Sequence, residues 1–334
     1  MSKLIIYDNL EVTRDIPKNF LEKDLELFEH EYLRKIDYSY IKIIKNPLII
    51  NHSVFDINSF KLHLNETYFE DHSKYHRLKT TLKNVIRADG KKEYLPEGLW
   101  IVDSKSENFG HWLIDALCRL LLVPKKYDNY PVLLPKSFDI SWLKETLDFF
   151  DRKYVFLDNY KKYQIGNFIL TSKAHPTGNY NPLIVQKFRE LHQNSKKYSP
   201  EKLNKRRIWA SREHISRTVS NFDQIKKILE KYNFEIIPTD ILSLSEKIKL
   251  FSETEVLAGT HGSGLINMLY MPERTKMFEV RDLNDDLKNS VYALASAVNI
   301  DYFYMERSQP LSTGGKIDVD IFEINLSKCI NSIN

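Results

Sequence analysis

The chain has 334 residues, 42% of them hydrophobic, enough for one large folded domain or two of ordinary size, and two is the expectation. Lys and Arg number 49 against 45 Asp and Glu, a net charge of +4 with both signs interspersed, which argues against a dedicated nucleic-acid binder. The two cysteines, Cys118 and Cys329, leave no room for a disulfide framework or a cysteine zinc site.

The start, MSKLIIYDNL, has one lysine before a short apolar run and then Asp8, far short of the apolar core of a signal peptide. No run approaches eighteen apolar residues, so the expectation is a soluble, cytoplasmic chain. Before residue 98 the pattern is irregular: YIKIIKNPLII and the polar HLNETYFEDHSKYHRLKTTLKN resist assignment. Between residues 99 and 170 strands and helices alternate: LWIVD, the helix FGHWLIDALCRLLLV, YPVLL, the helix SWLKETLDFF, then YVFL and FILT. Cys118, inside DALCRLLLV, reads as core.

The basic runs HQNSKKY and KLNKRR read as a solvated linker near residues 195 to 206, with peripheral attachment to an anionic surface at the inner face of the cytoplasmic membrane as the alternative. From residue 207 the alternation is regular. RIWAS predicts a strand, and SNFDQIKKILEKY a helix with Phe222, Ile225, Ile228, Leu229 and Tyr232 on one face. FEII follows as a strand, then SLSEKIKLF as a helix opened by the capping pair Ser243 and Glu246. EVLA, the helix GLINMLY stopped by Pro272, the strand KMFEV, the helix DLKNSVYALASAV and the strand IDYFYM complete the series. Such an order requires a parallel sheet covered by helices, so the expected class is α/β, with two Rossmann-like domains, 1–200 and 201–334. The last residues could pack back on the first domain. Ligands belong at the carboxyl ends of the strands, in a cleft between the domains.

Four clusters carry chemistry. In LAGTHGSGL a buried strand meets Gly259, His261, Gly262, Ser263 and Gly264 and then a helix, an arrangement that offers backbone N–H groups to a phosphate. The spacing is neither GxGxxG nor the P-loop, and a tight turn without a ligand would also explain it. An esterase oxyanion loop is set aside because no GxSxG elbow exists. In WASREHISRTVSN, Arg212 and Arg217 follow a strand of the same half and suit a diphosphate, against the alternative of two surface arginines. Glu279 ends KMFEV, where it could accept from ribose hydroxyls or simply be solvated.

In NFGHWLIDALCRL, His111 and Asp115 lie four apart on one helix face. The pair could take a proton from a hydroxyl or merely cap the helix. Two motifs are rejected as metal sites: His72 and His76 lack the glutamate of HExxH, and the DVD at 318–320 reads as exposed positions of a strand.

In this order the motifs resemble glycosyltransferase family 61, which includes plant xylan arabinosyl- and xylosyltransferases and animal O-linked N-acetylglucosaminyltransferases. HWLIDALCRL, His111 to Leu120, is similar to that family's first motif with Cys118 where proline is usual. Ser211, Arg212, Arg217 and Asn221 match its Ser-Arg…Arg…Asn series, with Phe222 in place of the usual Glu. His261 to Val280 matches its last motif, with Ser263 for alanine. The resemblance covers roughly residues 99 to 282. It implies a GT-B architecture, two facing Rossmann-like domains with the donor nucleotide in the carboxy-terminal one, and inversion at the anomeric carbon with no metal cofactor.

Under that resemblance the partners are a nucleotide-sugar donor, UDP-linked, and a glycan acceptor, with no nucleic acid. Abundant Ile, Lys and Asn suit an AT-rich bacterial genome and hence a capsule or lipopolysaccharide acceptor. Asp115 is the expected general base, with His111 orienting the acceptor or sharing the role. Arg212, Arg217, His261, Gly262, Ser263 and Gly264 would hold the diphosphate and Glu279 the ribose, with Ser211, Asn221 and Asn108 in support. The rival reading is a catalytically silent nucleotide-sugar or glycan-binding subunit of an envelope assembly complex; intact His111 and Asp115 argue against it.

Overall fold

The structure, a computed structural model, describes residues 2–193, 205–212, 219–282, 289–310, 312 and 314–332. It divides into two compact units, residues 1–10 with 37–176 and residues 11–36 with 177–334. The first boundary thus falls before residue 200, and an amino-terminal segment belongs to the second unit.

The first unit is built on one mixed sheet of nine strands: β1 (Ser2–Tyr7), β2 (Ser39–Lys45), β3 (Leu48–Ile50), β4 (Ser53–Asp56), β5 (Lys61–Leu62), β6 (Lys92–Trp100), β7 (Val132–Pro135), β8 (Tyr154–Leu157) and β9 (Lys162–Thr171). β8, β7, β6 and β9 run parallel in that order. The segment that resisted assignment supplies the rest: β9 also pairs antiparallel with β2 and β3, β2 with β1, and β3, β4 and β5 form a meander. Helices α1 (Lys74–Arg87) and α2 (Ser141–Phe149) belong to the same unit.

The second unit contains a five-stranded parallel sheet in the order β11-β10-β12-β13-β14, from β10 (Arg206–Ser211), β11 (Phe234–Pro238), β12 (Thr254–Thr260), β13 (Lys276–Arg281) and β14 (Asp301–Glu306). A two-stranded ribbon, Leu10–Thr13 with Leu33–Ile36, lies outside that sheet. β12 and β13 are buried almost throughout, which is why TEVLAGT and KMFEVR read as apolar runs and not as alternations. Helices α3 (Pro182–Gln193), α4 (Phe222–Lys231), α5 (Leu244–Ser252), α6 (Ser290–Ala297) and α7 (Val319–Asn331) complete the unit. α4 turns Ile225, Ile228 and Leu229 onto the core, where they meet Trp209, Phe278 and Phe303. α5 starts on the expected Ser243–Glu246 capping box. The fold class is α/β with parallel sheets.

Three local expectations are corrected. The DVD at 318–320 is not a strand: Asp318 caps α7 by accepting from the Ile321 N–H, and the helix buries Phe322, Leu326 and Cys329 in the core of the second unit. A stripe spaced by four and three residues outweighs the short alternation IDVDIFEI. GLINMLY is an i→i+3 helix, Ser263–Tyr270, not an α-helix. The segment 109–122 is helical but changes its winding, as described next. Cys118 and Cys329 are both buried and free.

Candidate functional site

In each unit the strand order reverses at one place, between β6 and β9 in the first and between β10 and β12 in the second. Open α/β sheets bind ligands outside the carboxyl ends of strands at such a point. Of the predicted residues that the structure describes, Asn108, His111 and Asp115 follow β6, and Ser211, Arg212, His261, Gly262, Ser263 and Gly264 lie at the ends of β10 and β12.

In the first unit, β6 ends at Trp100 and the chain makes a tight turn at Asp103, whose Oδ1 accepts from the Lys105 N–H (2.9 Å) and the Ser106 hydroxyl (3.2 Å). Asn108 then caps the next helix, its side chain accepting from the Gly110 N–H. Phe109–His111 is α-helical, Trp112–Ala116 widens to i→i+5 hydrogen bonding, and Leu117–Leu122 tightens to i→i+3. Such widened turns occur often at functional sites. Every residue from 112 to 120 is buried, because the segment is apolar on all sides apart from Asp115 and Arg119.

Those two charges meet residues that follow β6 and β9, Asp103 and His175. Arg119 donates to Asp103 Oδ2 (3.2 Å) and to the Glu66 carbonyl (2.8 Å), and Lys173, just past β9, donates to the same Asp103 oxygen (3.0 Å). Burial alone would raise the Asp103 carboxyl, but Arg119 and Lys173 hold it well below the usual range.

Asp115 lies between two histidines. Its Oδ2 is 2.7 Å from His111 Nδ1, and its Oδ1 is 3.8 Å from His175 Nε2. His175 is fully buried; burial pushes it down to about 4, so it is neutral near pH 7. Its Nε2 lies 2.9 Å from the Ile114 carbonyl and therefore carries the proton. Of the three side chains, His111 has the solvent access, 26% against 8% for Asp115 and none for His175. Burial would lower His111, but the hydrogen bond and charge of Asp115 raise it above the ordinary value. A neutral His111 that donates from Nδ1 presents a lone pair on Nε2, the arrangement of a general base held by a carboxylate. Sequence reasoning missed His175, Asp103, Arg119 and Lys173; HP at 175–176 carries no local signal.

In the second unit, β10 delivers Ser211, buried, and then Arg212, while β12 delivers Thr260 and the turn His261-Gly262. Arg212 Nη1 donates to the His261 carbonyl at 3.4 Å. Gly262 has φ 151°, and a Cβ there would stand 1.8 Å from Arg212 Nη1, so the guanidinium occupies the space a side chain would fill. Gly259 is similarly confined, its notional Cβ 3.0 Å from Leu265 and 3.2 Å from the Ala210 carbonyl. Leu265 N–H closes the turn on the Gly262 carbonyl, and Ser263 and Gly264 stand at the amino end of the helix, where backbone donors face outward. Gly262→Ala is expected to cost about 1–3 kcal/mol of backbone strain and to displace Arg212. Thermal unfolding and nucleotide titration of the variant would check both, and an unchanged affinity would separate the turn from the arginine.

Both oxygens of the Glu279 carboxylate are engaged. His261 Nδ1 is 2.5 Å from Oε1, and the Tyr302 hydroxyl donates to Oε2 at 2.5 Å. Glu279 is 2% exposed; burial would raise its carboxyl, but His261, Arg281 and Tyr302 bring it below the ordinary value. Tyr302 has no counterpart in the sequence reading. Asn221 pins the chain before α7 to the start of α4, donating to the Ile317 carbonyl and accepting from its N–H. Phe222 packs against the core beside Trp209. Arg217 lies outside the described residues.

Comparison with known proteins agrees with the sequence resemblance. The family described as Glycosyltransferase 61 matches residues 109–278, just over half of the chain. A curated relative, the EGF domain-specific O-linked N-acetylglucosamine transferase of Drosophila melanogaster, is 29% identical over 98 residues, 28% of this chain and 19% of the relative. The chain thus matches about a fifth of that protein's length.

Proposed function

The chain belongs to the glycosyltransferase 61 family, and from that membership we propose that it transfers a sugar from a nucleotide-sugar, UDP-linked, to a hydroxyl of an envelope glycan such as capsule or lipopolysaccharide. The reaction is a single displacement with inversion, on the GT-B plan of acceptor in the first unit and donor in the second. The observation that carries the reading is the hydrogen bond from His111 Nδ1 to Asp115 Oδ2 at the carboxyl ends of the parallel strands.

In this mechanism His111 Nε2 takes the acceptor proton. The acceptor oxygen forms its bond to the anomeric carbon as the bond to the diphosphate breaks, and the electron pair leaves on the diphosphate. Asp115 fixes the tautomer and stabilises the imidazolium; its near-complete burial and its place between two histidines support this order over Asp115 as the base. Arg212, Arg217 and the N–H groups of Gly262 and Ser263 neutralise the leaving diphosphate without a metal cofactor. We assign Glu279 to His261 and not to the ribose, since its two oxygens already accept from His261 and Tyr302; with Nδ1 donating to Glu279, His261 donates from Nε2 to the diphosphate as the imidazolium, whose charge the carboxylate balances.

The test is a panel of nucleotide-sugars with purified envelope glycans, with and without EDTA, scored by anomeric proton couplings of the product. Transfer with inversion from a UDP-sugar, insensitive to EDTA, is expected. Tight nucleotide binding with no transfer to any acceptor would support the silent-subunit reading, and a metal requirement would overturn the assignment of charge neutralisation to Arg212 and Arg217.

A further inference from the structure

Helix α1, Lys74–Arg87, is amphipathic in the reverse sense to an ordinary surface helix. It turns polar residues inward: Thr81 and Asn84 are buried, Thr81 bonded to the hydroxyls of Ser53 and Tyr68 and Asn84 accepting from Asn51. Its apolar residues face outward. Tyr75 is 74% exposed, Leu78 44%, Leu82 61%, Val85 39% and Ile86 74%. At 3.6 residues per turn these five fall within an arc of about 100° whose centre lies about 120° around the helix from the direction of Thr81 and Asn84. The connection between β4 and β5 extends the same surface with Ile57, 41% exposed, and Phe60, 94% exposed, which share a shallow apolar hollow with Val85.

The charged residues on α1 and along the hollow are mostly basic, with exposed Asp71 and Asp89 beyond the two ends of the helix. Lys74, Lys79, Lys83 and Arg87 are exposed, Lys61 and Lys162 border the hollow, and α1 contains no Asp or Glu. Asp56, also at the hollow, is buried and turned onto the Asn58 N–H and the Ser59 hydroxyl. No described helix is long and apolar enough to cross a membrane.

We propose that this face docks on an anionic phospholipid bilayer, with α1 lying in the headgroup plane, its apolar stripe and Phe60 in the acyl boundary and its lysines on the phosphates. A basic helix with a strong apolar face is the arrangement that binds in a membrane interface. The charge selects the occupant: a second copy meeting the same face would oppose the lysines of α1 to each other, and α1 itself offers no carboxylate. The inference rests on no catalytic assignment.

The experiment is co-sedimentation of the whole chain with vesicles of phosphatidylcholine alone and of phosphatidylcholine mixed with phosphatidylglycerol, at low and high salt. Binding to the mixed vesicles only, weakened by salt, is expected. Lys79→Gln with Lys83→Gln should weaken it about fivefold per charge removed. Leu82→Glu with Ile86→Glu should abolish it at an unchanged melting temperature, and Phe60→Ser with Tyr75→Ser supplies a second apolar test should that variant fold poorly. Absence of binding by the unmodified chain, equal binding to both vesicle types, or full binding by folded apolar variants would overturn the proposal. So would a concentration-dependent dimer, lost in the same variants, without vesicle binding.

Discussion

His111→Ala is expected to lower turnover by about 10² to 10⁴, the usual worth of a positioned base, while nucleotide affinity stays within about twofold. The pH profile adds an independent signature. The base acts as neutral imidazole, so kcat/KM is low where His111 is protonated and rises with pH to a plateau. The midpoint should lie above the ordinary histidine value of about 6.5, because the hydrogen bond and charge of Asp115 outweigh the burial that would lower it. In Asp115→Asn that support disappears, the midpoint should move down, and the plateau should fall because an amide can hold the ring in the wrong tautomer. If Asp115 were the base, His111→Ala would keep most of its turnover and the wild-type midpoint would sit in the carboxylate range. Initial rates across pH for the three proteins decide between the two.

Arg212→Ala should remove the stabilisation that a nucleoside diphosphate gives the folded chain. A ligand at a hundred times its Kd stabilises by about 2.7 kcal/mol, a shift readily measured in thermal unfolding. Hydrogen bonds to a charged group contribute about 1.5–3 kcal/mol, so affinity for UDP should fall by roughly 10- to 150-fold. The loss in kcat/KM should be larger, since charge on the leaving group grows toward the transition state. Arg212→Lys should recover only part, because an ammonium lacks the planar fork. Unchanged UDP affinity in Arg212→Ala would leave the arginine as a partner of the His261 carbonyl alone.

How much of this was legible in the sequence depends on how local each cause is. The strands and helices after residue 205 announce themselves by buried runs and by stripes such as Ile225, Ile228 and Leu229, and the structure places them accordingly. His111 and Asp115 were legible because four residues along a helix bring two side chains together. Arg212 and the glycine turn were legible because each follows a strand of one parallel sheet. The order of roles proposed for the His111–Asp115 pair was not: it draws on His175, which reaches Ile114 from sixty-one residues away. Glu279 reads as an open carboxylate at a strand end until Tyr302, on the neighbouring strand, closes its second oxygen. Of the strands before residue 63, β2 and β3 escaped notice because their partner, β9, lies more than a hundred residues downstream. Asp318 misled because four alternating residues fit a strand and a capped helix equally well.

The widened turn at Trp112–Ala116 constrains the length of this segment as well as its composition. It accommodates one residue more than a regular helix would, between the part that presents His111 and the part that anchors Arg119 to Asp103. A further insertion there, or a deletion outside the widened turn, would rotate everything beyond it by roughly 100°. Arg119 would leave Asp103 and a buried guanidinium would lose its counter-charge. Insertions and deletions should therefore be tolerated far less between His111 and Arg119 than in the loops around them, even where the substituted side chains are conservative.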